Sequence, residues 1–179
     1  MKNLIFSILL VWAFFAQTSL QAQDKSPEFT TDIANAPKKV DGKNVVNVDK
    51  NGVILRGYDV ITFHQKNPQK GNPDFQSEYL GAKYHFVSEE NKKLFESNKE
   101  KYAPLYNGFC AVAVALNKLS PIQLQTYSFV NDKLIFQHNM NAQKLWNKDI
   151  KKNAKKAEKN WANVSQKTEY SNGYKPKDE

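Results

Sequence analysis

Four side chains in this sequence could ligate a soft or borderline metal: His64, His85, Cys110 and His138. Neutral imidazole and thiolate together suit zinc or copper. None stands within a few positions of another, so the tight pairing that marks a zinc motif is absent and the fold would have to assemble a site. Each also has an ordinary reading. His85 alternates away from an apolar face, Cys110 sits inside an apolar run, and His64 and His138 end apolar segments. Among acids, Asp59 follows the bend Arg56-Gly57-Tyr58, where a carboxylate either closes the turn or does chemistry. A small enzyme or redox protein would have to use Cys110 or Asp59, and neither has an evident base or paired carboxylate nearby. A non-enzymatic binding module, or an adaptor for a protein partner, asks for less: aromatic side chains lining a groove.

The elements that must hold these residues are short. Val45-Val46-Asn47-Val48 and Val53-Ile54-Leu55 flank Asn51-Gly52 and read as a hairpin. Residues 65–74 read as a loop. A strand follows over about 78–87, with Leu80, Ala82, Tyr84 and Phe86 on the core face and Tyr79, Lys83 and His85 on the other. Ser88 stands as a helix cap before Glu89 and Glu90, and that central helix stops before Pro104. The run Phe109–Leu116 is buried, as helix or strand. Tyr127–Val130 and Leu134–Gln137 flank Asn131-Asp132-Lys133 as a second hairpin. Trp146, Ile150, Ala154, Ala157, Trp161 and Val164 then form one apolar stripe on a helix over 144–164. No internal repeat is visible. Strands and helices mix without strict alternation, which predicts a single small α+β domain of antiparallel strands and hairpins packed by a central and a C-terminal helix.

Length and composition agree. The 179 residues suffice for one domain, and an apolar fraction of 40% with 12% aromatics supports a real core. Lys2, the apolar run Leu4–Ala16 and the more polar stretch Gln17–Ala22 that ends in a small residue have signal-peptide anatomy. The run is shorter than the roughly 18 residues of a spanning helix. The expected organisation is therefore a signal peptide at 1–22, a flexible leader at 23–44, a domain at 45–164 and a disordered tail at 165–179. The product is expected to be exported, periplasmic or extracellular, with no membrane span after cleavage. A lone cysteine excludes an internal disulfide and a four-thiolate zinc site. Much of the net charge of +8 gathers between Lys144 and Lys159. That stretch lacks interleaved aromatics, so it reads as a solvated face, and no nucleic-acid partner is expected.

Gly57-Tyr58-Asp59-Val60, Tyr84-His85-Phe86-Val87-Ser88, Leu94-Phe95, Tyr102-Ala103-Pro104 and Tyr106-Asn107-Gly108-Phe109-Cys110-Ala111 occur in order. Together with the C-terminal strand and helix, they make residues 45–164 resemble the exported bacterial YHS-domain proteins. The eponymous residues stand here as Tyr84, His85 and Ser88. The resemblance implies no assigned activity for the exported members, and in the broader group a thiolate metal site formed by cysteines around this core. Val87 stands where such a cysteine would fall, so no thiolate site is carried over. The candidates that follow from the resemblance are Asp59 and Tyr84 for ligand binding, and His85 with Cys110 for metal.

Overall fold

A computed structural model describes residues 36–39 and 45–171. Three two-stranded antiparallel ladders are set against helices, an α+β arrangement with one shared core. The expected signal peptide and most of the expected leader lie outside the described residues, as do 172–179.

The first ladder pairs β1 (Ala36–Lys39) with β2 (Val45–Val48), so a strand falls inside the stretch read as leader. The hairpin read around Asn51-Gly52 is reduced to one bridge between Val48 and Ile54. Its turn is closed by Asp49, whose carboxylate accepts from the N–H of Asn51 at 2.9 Å and of Val53 at 2.8 Å.

Next come α1 (Val60–His64), β3 (Asn72–Tyr79), β4 (Ala82–Phe86), α2 (Glu89–Ser97) and α3 (Lys99–Tyr102). The sequence reading of one strand over 78–87 is corrected here. Leu80 and Gly81 both take positive φ, 49° and 76°, the backbone of a two-residue hairpin turn that joins two strands. Leu80 therefore leaves the core face and is 49% exposed. Beyond the turn the alternation holds, with Ala82, Tyr84 and Phe86 buried and Lys83 and His85 facing outward.

The remaining elements are α4 (Ala111–Ala115), β5 (Gln123–Val130), β6 (Lys133–Gln137), α5 (Met140–Asn147) and α6 (Ile150–Val164). The apolar run after Phe109 is thus a short helix, every residue of it buried. The stripe read over 144–164 spans two helices rather than one. Asp149 accepts from the N–H of Lys152 at 3.0 Å and starts α6 afresh. Trp146 consequently belongs to α5, and Ile150 turns outward at 42% exposure. Ala157 and Val164 remain buried, and α6 lies along α4. Asn160 Nδ2 fastens the pair by donating to the carbonyls of Val114 and Ala115.

The folded region passes the boundary expected at 164. Tyr170 is buried, and its hydroxyl donates to Asn47 Oδ1 at 3.0 Å. Asn47 in turn donates to the carbonyl of Gly108 at 2.7 Å, tying the chain's end to β2 and to the turn before Phe109. The core is aromatic: Phe63 meets Phe136 edge-on at 5.3 Å, and Phe95 lies 4.5 Å from Tyr84 and 5.2 Å from Phe86.

Candidate functional site

The sequence candidates separate into buried and accessible groups. Asp59 is fully buried. Its Oδ1 accepts from the N–H of Ile61 at 2.8 Å, capping α1, and its Oδ2 accepts from the N–H of Val87 at 2.9 Å and from Asn91 Nδ2 at 2.7 Å. This carboxylate joins α1, the end of β4 and α2. Its acceptor capacity is spent inside the fold, so it is a structural cap rather than a ligand-facing acid. Tyr84 points the same way: it stacks on Phe95 with its ring in the core, and burial pushes its phenol far above the usual range.

Cys110 is 1% exposed and caps α4 without offering a side-chain oxygen. Its thiol lies 3.4 Å from Gln137 Oε1. Burial pushes the thiol pKa up, while the backbone N–H groups of Ala113, His138 and Val112 pull the other way. A buried, protonated thiol is a poor nucleophile and a poor ligand.

His64 is wedged between Tyr102 and Phe129, with ring centroids 5.3 and 5.0 Å away, and its Nε2 is 3.4 Å from the carbonyl of Tyr102. Burial lowers its pKa, helped by Lys101 and Lys133. His138 lies with Nδ1 3.2 Å from the carbonyl of Pro121.

His85 differs from all of these. It sits half-buried on the outward face of β4, with Gly57 against its ring and Gly71 against its backbone. A Cβ on Gly57 would stand 3.1 Å from His85 Nδ1, and one on Gly71 would come within 2.5 Å of the His85 carbonyl carbon. The two glycines are themselves joined by the Gly71 N–H donating to the Gly57 carbonyl at 2.8 Å. Alongside, the Lys70 ammonium stands 5.5 Å from the ring of Tyr58. Burial lowers the pKa of His85, and Lys70 and Lys83 lower it further against the opposing effect of Asp49. The ring is therefore neutral at pH 7, the state in which an imidazole accepts a hydrogen bond or ligates a cation.

His85 is bordered by Gly57, Gly71 and Lys70, and Cys110 by Gln137, His138 and Ser120. Among the described residues, no three His, Cys, Asp or Glu side chains gather where they could hold one metal ion. The sequence reading missed Lys70 and Gly71 as neighbours of His85. Their signal is slight, a Lys-Gly inside what read as a loop.

Residues 64–106 match the family model of the YHS domain, a stretch that runs from the end of α1 past α3 and includes His85. No curated protein and no solved structure matches the chain.

Proposed function

We propose that this chain is an exported, non-enzymatic binding module whose contact surface is the His85 face of its YHS domain. One observation carries the reading. Of the four candidates that the resemblance singles out, Asp59, Tyr84 and Cys110 are enclosed in the fold, whereas His85 is half-buried on an outward face. Its neutral ring stands against Gly57, with Lys70 nearby, whose ammonium lies over the Tyr58 ring. That combination suits reversible binding through the imidazole. Soft divalent cations are the natural probe, because a neutral imidazole is their commonest protein ligand.

Calorimetric titration of zinc and copper at neutral pH, on wild type and His85→Ala, tests the site. Weak binding abolished by the substitution supports it, and binding unaffected by the substitution rejects it. Export is tested separately: N-terminal sequencing of the product from its native host should begin at or within a few residues of Gln23. A retained N-terminus would remove that part of the proposal.

A further inference from the structure

The two halves of the described chain follow one template. The cap residues Asp59, Ser88 and Asn98 are each followed 51 positions later by Cys110, Asn139 and Asp149, and each pair opens corresponding helices. Helix α1 corresponds to α4, β3 to β5 and β4 to β6, with identical bounds after the same displacement. The ladder registers repeat as well: Asn72 opposite Phe86 becomes Gln123 opposite Gln137, and Tyr79 opposite Ala82 becomes Val130 opposite Lys133. Both ladders are interrupted after their first pair.

The unusual backbone repeats most tellingly, because positive φ is uncommon outside glycine. Leu55, Arg56 and Gly57, at 50°, 54° and 75°, return as Tyr106, Asn107 and Gly108 at 56°, 50° and 79°. Lys66 at 58° returns as Asn117 at 59°, and Leu80 at 49° as Asn131 at 48°. Even single hydrogen bonds recur, such as the N–H of Asp59 to the carbonyl of Gln69 and that of Cys110 to Ser120.

We propose that residues 55–102 and 106–153 are two copies of one unit, the second a YHS-type unit that the family match does not reach. In this reading Cys110 occupies the place that receives the Asp59 carboxylate in the first copy. The surroundings support that assignment. Asp59 accepts from the N–H groups of Ile61 and Val87, whose counterparts Val112 and His138 lie against the Cys110 thiol. The third donor of the first copy, Asn91, has become Ala142, yet an amide is still present. Gln137 is fully buried, its Oε1 accepts from the thiol and from the Val112 N–H at 3.0 Å, and its Nε2 has no partner among the described residues. A carboxylate at this place would take over the Val112 N–H, and the Gln137 amide, turned about, would bring its unpartnered Nε2 to it as the third donor.

The test is the thermal stability of Cys110→Asp beside wild type and Cys110→Ala, followed from pH 7 to pH 3. This readout does not depend on cation binding at His85. An ordinary apolar site would reject a buried carboxylate, holding its pKa above the unfolded value of about 3.9, so the variant would gain on wild type as pH falls. A duplicated cradle reverses the sign. There the carboxyl is held below that value, its stabilisation is complete above it, and the variant loses ground on wild type as pH falls through it. The expected result is a Cys110→Asp protein whose midpoint at pH 7 lies within about 5 °C of wild type and above that of Cys110→Ala. A variant that fails to fold at pH 7, or one that is relatively more stable in acid, would overturn the proposal.

Discussion

The unit at 55–102 and the unit at 106–153 have the same backbone and distribute their polar chemistry in opposite ways. In the first, the buried cap is a carboxylate with three donors, and the imidazole of β4 stands outside over glycine. In the second, the cap is a buried thiol, the position of His85 is taken by Phe136 in the core, and the imidazole has moved to His138 beneath a loop carbonyl. The helix that follows differs too. The first unit stops after one turn at Tyr102, ahead of Pro104, while the second continues to Val164 and covers α4. The first unit thus leaves its imidazole accessible, and the second encloses its thiol and its aromatic ring.

Substitutions can break this contrast at several strengths. The largest effect belongs to the closed unit: Trp146, at 1% exposure, should lose about 3–5 kcal/mol on replacement by Ala, read as a fall in the urea midpoint. Trp161, half-buried and edge-on to Tyr106 at 5.6 Å, should lose clearly less. A reversed order would mean that α6, not α5, anchors the core. In the open unit, Asp59→Ala removes the cap of α1 and strands the Val87 N–H and the Asn91 amide, for about 3 kcal/mol. A near-neutral result would return Asp59 to the list of ligand candidates.

A smaller effect is set by pH. His64 binds protons less readily folded than unfolded, because burial opposes its charge. The unfolded chain therefore takes up more protons between the lowered folded pKa and about 6.5, and stability falls as pH drops through that window. His64→Phe should flatten the dependence between about pH 7 and pH 5 relative to wild type. An unchanged slope would place its origin elsewhere. The smallest effect concerns the exposed lysines of α6: Lys152→Gln with Lys156→Gln should shift stability by less than about 0.5 kcal/mol per site.

Much of this architecture was legible in the residues. The Ser88 cap, the inward face of Ala82, Tyr84 and Phe86, and the outward His85 follow from capping chemistry and strand alternation, and all three appear as read. The turn at Leu80-Gly81 was hidden because leucine seldom adopts positive φ, so an apolar residue in a strand pattern passed for another core position. The break at Asp149 was hidden because the apolar spacing runs on across it. The duplication was invisible because the copies agree at few positions, among them Gly57 with Gly108 and Leu94 with Leu145. What they share is backbone conformation and cap position, which different side chains satisfy equally: Ser88 and Asn139, Asn98 and Asp149. At the site, the outward His85 could be read from alternation. Its neighbours Gly71 and Lys70 could not, since a loop brings them to β4 from a distance that local pattern does not encode.

The contrast between an open and a closed unit is tested most directly by zinc titration of isotope-labelled protein, followed through its backbone amide resonances. The account predicts shifts confined to Gly57, Lys70, Gly71 and His85, with the corresponding region of the second unit, Gly108 and Phe136, unmoved. Shifts centred on Cys110 and His138, or no shifts in either unit, would contradict it.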